Sequence, residues 1–271
     1  MIAGIGVIVA LVAFIEWIRS FFLDKTNLPE DAKDLTVALA EACVATAGYI
    51  VLFRAYDKRR IDELSTNQLT ENAVTGFLTG VVLQSLFILI IYLAGTFVVV
   101  NVHPVSTLVS PFAFALTAGF VAEIIIIGIV FRLLEEQTGT GVALIIFVVL
   151  FAVLHINTKG ATFVSVGATA MQAGFMLPAA YVFSRSLFLP IFIHMGWDFA
   201  EPGIFGAINP STSISQGLFT SKVSGSVFLT GGQTGPQSSL QALILCLLTG
   251  TLFLILARRK NNLVRILRRT I

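Results

Sequence analysis

Residues 111–134 read PFAFALTAGFVAEIIIIGIVFRLL, an apolar run long enough to cross a bilayer and broken midway by one carboxylate, Glu123. A helix rises about 1.5 Å per residue, and the hydrocarbon core takes roughly 20 residues to span. An ionisable group inside such a run is costly unless it is paired or hydrated. The run therefore predicts a transmembrane helix holding an acid that needs a partner.

The rest of the chain has the same character. Seven further apolar runs fall at 2–18, 35–53, 74–100, 141–155, 161–184, 187–206 and 239–257. The 271 residues are 56% apolar and 12% charged, with a mean hydropathy of +0.91. A soluble domain carries roughly 25% charged residues, so too few polar groups remain here to cover a wet surface. A soluble globule, a disordered chain and a nucleic-acid-binding domain are excluded. The predicted class is all-α, a polytopic membrane bundle of about eight helices. Cys43 and Cys246 lie in apolar runs and suggest neither a disulfide framework nor a metal knuckle. The first run lacks a basic leader and a small-residue cleavage site, and reads as a retained helix.

Orientation follows from Lys and Arg. The tail 258–271 carries Arg258, Arg259, Lys260, Arg265, Arg268 and Arg269 without an acid. Eight crossings with that tail in the cytoplasm put the N-terminus there too, and most of the 17 basic residues then face the cytoplasm. Leu263, Val264, Ile266 and Leu267 alternate with the tail's basic residues, so a surface-lying helix is a second reading beside a plain topology signal. Arg54 to Glu71 mixes acids and bases as a solvated turn would. Glu201 to Ser238, with Pro202, Pro210 and Pro236, has the composition of an irregular outer loop, a lid being the alternative.

Ionisable groups inside the spans carry the functional signal. Glu16 sits beside Trp17 at a span end and reads as interfacial; Glu41 lies deeper, as a helix-packing or partner residue. His103, beside Pro104, reads as a loop residue. Glu123, His155, His194 and Asp198 fall roughly 10–21 Å into spans four, five and seven, at comparable depths. His194 and Asp198 are also i,i+4 on one helix face. Two imidazoles and two carboxylates between helices 4, 5 and 7 suit a metal site, an acid–base site, or a hydrogen-bond network that ties helices together.

Phe151-Ala-Val-Leu-His155 and His194-Met-Gly-Trp-Asp198 resemble the second and third motifs of the CPBP family, the CAAX-processing and bacteriocin-processing membrane endopeptidases. The resemblance covers about 111–206, and more loosely 111–257. It divides the chain into N-terminal helices 1–110, a protease-like domain 111–257 and the basic tail 258–271. The family's first motif, Glu-Glu-x-x-x-Arg, aligns at Ala122-Glu123, with Ile127 at the Arg position. The resemblance implies that the first Glu and the second-motif His activate water, while the third-motif pair stabilises the oxyanion. One residue along a helix turns a side chain by about 100°, so Glu123 does not simply replace the missing acid. Without the Arg, Glu123 is expected to turn to His155 or His194.

Three functions fit. One is an active endopeptidase with Glu123, His155, His194 and Asp198 as catalytic residues, acting on membrane-associated peptides or prenylated proteins. A second is an inactive pseudoprotease that binds membrane peptides in an immunity or scaffold role, and a third is an ion or proton transporter. Zinc is a possible cofactor on His155, His194 and Glu123 or Asp198, since that donor set suits it. Lipid is the surrounding partner, nucleic acid is not expected, and the expected location is a multi-pass plasma-membrane protein.

Overall fold

Inside a bilayer no water is available to satisfy peptide groups, so each long apolar run closes its hydrogen bonds within itself as a helix. The computed structural model describes residues 2–56, 58–157, 160–206 and 217–265, and each of the eight runs forms a helix in it. These are α1 (Ile2–Phe21), α2 (Glu30–Tyr56), α3 (Leu69–Leu93), α4 (Val105–Thr138), α5 (Thr140–His155), α6 (Phe163–Ser184), α7 (Phe188–Asp198) and α8 (Leu240–Arg259). Among the described residues, six helical segments, all but α5 and α7, are long and apolar enough to cross a membrane. Helix α5 has 16 residues; α7 has 11 and continues through a wider turn, Phe199–Ile204. The chain is an all-α polytopic membrane bundle.

Two expectations about the connections need correction. The third run does not stay helical to residue 100. Helix α3 stops at Leu93, Gly95 takes a φ of 72°, and β1 (Phe97–Val102) follows. A left-handed glycine ends the helix at little cost, and the Phe97-Val98-Val99-Val100 run then favours extended backbone. Its antiparallel partner β2 (Phe219–Val223) comes from the segment expected to be an irregular loop. Residues 207–216 of that segment, and Ile266, Leu267, Arg268 and Arg269 of the tail, lie outside the described residues.

Close helix contacts at glycines place α7 between α3 and α4. A Cβ at Gly80 would stand 2.2 Å from the Ile193 carbonyl, and one at Gly196 would stand 2.1 Å from the Phe77 carbonyl. On the α4 side, a Cβ at Gly119 would stand 2.8 Å from the Ile191 carbonyl. Small residues let helix backbones approach where lipid supplies no hydrophobic drive for association. Trp197 is wholly buried there, edge-on to Phe87 at 5.0 Å. On the periphery, α5 buries Ala143, Leu144, Phe147 and Phe151 while exposing Val142, Ile145, Val149 and Val153, a side chain arrangement that suits lipid.

One end of the bundle is locked by buried charges, among them Glu63 of the segment expected to be a solvated turn. Glu63, 5% exposed, takes two bonds from Arg59 (2.9 and 2.5 Å) and one from the Tyr49 hydroxyl (2.5 Å). Its backbone carbonyl accepts from Leu187 N, 2.8 Å away. Glu135, 1% exposed, takes Arg185 at 2.7 and 3.0 Å and the Thr140 hydroxyl at 2.5 Å. Burial works against the charge of Arg185, but the hydrogen bonds and charge of Glu135 outweigh it and hold the guanidinium pKa above its usual value. The tail begins as a tether rather than a helix. Thr140 N donates to the Val264 carbonyl at 3.0 Å, Val264 N donates to the Thr140 hydroxyl at 2.9 Å, and the Asn262 amide donates to the Phe183 carbonyl.

Gly196→Ala should overpack the α3–α7 contact and destabilise the fold by about 1–3 kcal/mol. Thermal unfolding of detergent-solubilised protein would show a lowered Tm, whereas Gly6→Ala, with open space around its Cβ, stays at or above wild type.

Candidate active site

Helix α4 is α-helical over Val109–Thr117, then widens into π turns at Ala118–Ala122 and Ile124–Phe131. Glu123 sits between them. A π turn bonds i to i+5 and so carries more residues per turn, and such turns recur at functional sites. The 100° step assumed for a regular α-helix therefore does not hold at this position. The wider turns rotate the register, and Glu123 is aimed at α7.

Helix α7 supplies the partners. His194 Nδ1 lies 2.7 Å from Glu123 Oε1, and His194 Nε2 lies 3.3 Å from Asp198 Oδ2. The three side chains form one acid–imidazole–acid series across two helices. Glu123 is closed off, its side chain 3% exposed, whereas His194 and Asp198 keep 20% and 18%. An approaching molecule therefore meets the imidazole and Asp198 first. Glu123 Oε2 is buried with no hydrogen-bond partner among the described residues. Asp198 is the last residue of α7 before the π turn Phe199–Ile204.

His155 stands apart from this series. Its Nδ1–H donates to the Phe151 carbonyl at 2.9 Å, and its ring stacks on Phe151 with centroids 5.9 Å apart. It is the last residue of α5 and is partly exposed, and it makes no hydrogen bond to Glu123, His194 or Asp198. Glu41 is also elsewhere. It is 2% exposed and accepts from the Thr117 hydroxyl at 2.7 Å. It lines a cavity of about 490 Å³ between α1, α2 and α4, along with Glu16, Asp31, Asp34 and Ser110. Glu16 is exposed at the mouth of that cavity. His103 ties β1 to β2 through the Thr220 hydroxyl at 2.8 Å.

Two residues near the site escaped the sequence reading. Glu201, 2% exposed, follows Asp198 by one turn, and its Oε1 is 3.5 Å from Gln237 N. Gln237 Oε1 in turn accepts from Trp197 Nε1 at 3.2 Å. Pro202 made Glu201 look like the start of a loop, although Pro is tolerated where a helix widens. Gln84 on α3 is wholly buried, and its side-chain amide interacts with the Glu201 carboxylate. A lone amide in an apolar run was the signal for it.

The donor set does not fit zinc. Among the described residues no three His, Cys, Asp or Glu side chains converge as metal ligands. Both nitrogens of His194 already face carboxylates. Elemental analysis of purified protein should accordingly find zinc well below one ion per chain, with the same content in His155→Ala. Stoichiometric zinc lost in that variant would contradict the geometry.

Residues 104–200 match the family model described as Rce1-like, type II CAAX prenyl endopeptidase. The matched segment runs from the start of α4 to the turn after α7 and contains Glu123, His155, His194 and Asp198. Over that segment, about a third of the chain, the sequence is similar to the CAAX prenyl endopeptidases that the model describes. None of the curated proteins and none of the solved structures matches the chain.

Proposed function

We propose that the protein is a CAAX-protease-like intramembrane endopeptidase acting on membrane-associated peptides, with residues 111–257 carrying the reaction. The observation that supports this most is the contact of His194 with two carboxylates on the α4–α7 seam, inside the segment that matches the endopeptidase family. Peptide hydrolysis needs a group that takes a proton from water and returns one to the leaving amine. Glu123 accepts the His194 Nδ1–H, which fixes the ring and its tautomer, as a buried acid does for a catalytic imidazole elsewhere. That leaves Nε2, beside Asp198, without a proton on the accessible side, where it can carry one from water to the leaving amine. Water adds to the scissile carbonyl as Nε2 takes its proton; the C–N bond then breaks as that proton passes to the amine nitrogen.

The family resemblance would instead give water activation to His155, where only Nε2 is left for it, since Nδ1 is spent on Phe151. Its separation from Glu123, together with Ala122 and Ile127 in the first motif, favours the second reading of a pseudoprotease that holds a peptide without cleaving it. In either case the end of the bundle bearing Arg59, Arg185 and the tail faces the cytoplasm, as the positive-inside rule directs, and the plasma membrane is the proposed location.

Full-length protein in liposomes, given a prenylated peptide with a CAAX ending, tests the assignment. Wild type should cleave it, and Glu123→Gln, His194→Ala and His155→Ala should each lower kcat/KM by roughly 10²–10⁴-fold. Saturable peptide binding without cleavage by wild type would establish the pseudoprotease. Unchanged rates in His194→Ala would remove this site from the chemistry.

A further inference from the structure

At the α2–α3 turn a cavity of about 680 Å³ is lined by Arg54, Lys58, Arg59 and Arg60, with Asp62 and Thr66 on its far side. Its cations are not equivalent. Arg59 is committed to Glu63 by two hydrogen bonds. Arg54, Lys58 and Arg60 are exposed. Among the described residues Asp62 is the one carboxylate in the lining, and it meets Arg60 only at 3.7 Å, with both side chains more than 80% exposed (93% and 83%). A pair that long and that wet neutralises little. Among its described residues the lining therefore carries more cations than carboxylates. Lys58 has a φ of 49°, which side-chain-bearing residues rarely adopt, and so the turn keeps an uncommon shape where its cations gather.

The level of the hollow points to its occupant. Val51 is 67% exposed and Tyr56 77%. An apolar outward residue followed by an outward tyrosine marks the hydrocarbon edge and then the headgroup layer. Arg54 lies between these two residues, and Lys58 and Arg60, exposed cations of the hollow, follow Tyr56 within four residues. Guanidinium groups match phosphate oxygens with paired donors, and the Thr66 hydroxyl adds one more donor within the same lining.

We infer that this hollow is a binding site for the phosphate of an anionic phospholipid headgroup. It lies on α2 and the α2–α3 turn, away from the Glu123–His194 contact, and stands whether or not the protein cleaves peptides. Free phosphate shares the chemistry, but the apolar flank at Val51 and Tyr56 favours a phosphate attached to acyl chains.

The test uses the full-length protein purified with a mixture of phosphatidylcholine and phosphatidylglycerol, with retained lipid counted by native mass spectrometry. Wild type should retain phosphatidylglycerol selectively. The triple variant Arg54→Gln, Lys58→Gln, Arg60→Gln should bind it at least about tenfold more weakly, since each cation near an anionic surface is worth about fivefold. Asp62→Asn, which removes the repelling carboxylate, should retain more than wild type and keeps the test open should the triple variant misfold. Arg258→Gln, Arg259→Gln, Lys260→Gln together should leave this lipid in place. Equal retention by wild type and both hollow variants, or loss only in the tail variant, would overturn the inference. Displacement of the lipid by millimolar inorganic phosphate would reassign the hollow to a free anion.

Discussion

A carboxylate buried among apolar side chains must find a donor, and that requirement organises this molecule around Glu123. In hydrocarbon an unpaired charge is costly, and the donor available here is the imidazole of His194, 2.7 Å away on another helix. The contact requires α4 and α7 to lie close. Gly119 on α4 and Gly196 on α7 permit that, because neither carries a Cβ where the neighbouring backbone passes. The glycines set the distance, the π turns of α4 set the direction of Glu123, and the i,i+4 spacing on α7 adds Asp198 on the other side of the ring. None of the three would suffice alone.

The apolar runs made the helices legible, because a bilayer leaves a long apolar segment almost no other way to satisfy its backbone. Their ends were less legible. The valines after Gly95 suit a strand as well as a membrane helix, and it is the left-handed Gly95 and the partner β2 that make them a strand. The pairing of Glu123 with histidine was readable from the absence of an Arg at Ile127, but the choice of His194 over His155 was not. That choice depends on π turns, which local composition does not signal. His155 looked equivalent by depth alone, yet it ends a short helix and satisfies itself on Phe151. Glu63 looked solvated because it stands in a charged turn, yet Arg59 holds it in the interior; Glu135 is held by Arg185, which only the fold brings to it.

The two ends of the bundle differ in kind. One end gathers the α2–α3, α4–α5 and α6–α7 turns and the start of the tail around two buried glutamates held by arginines. Breaking such a pair leaves an uncompensated buried charge, so these turns form a rigid base under the helices. The other end holds the cavity where Glu16, Asp31, Asp34 and Glu41 face Arg19, along with the two-stranded sheet. The Glu123–His194–Asp198 series lies between the two, with Glu123 sealed and Asp198 partly open. The base fixes the helices, and the site opens on one side while the acid–imidazole pair is held in place.

The most direct test of that pairing is a double-mutant cycle on the unfolding free energy of the detergent-solubilised protein, using Glu123→Gln, His194→Gln and the two combined. A direct contact predicts strong coupling, about 1 kcal/mol or more between the two changes. Effects that add to within about 0.5 kcal/mol would show that the two side chains do not hold each other, and the account built on them would fail.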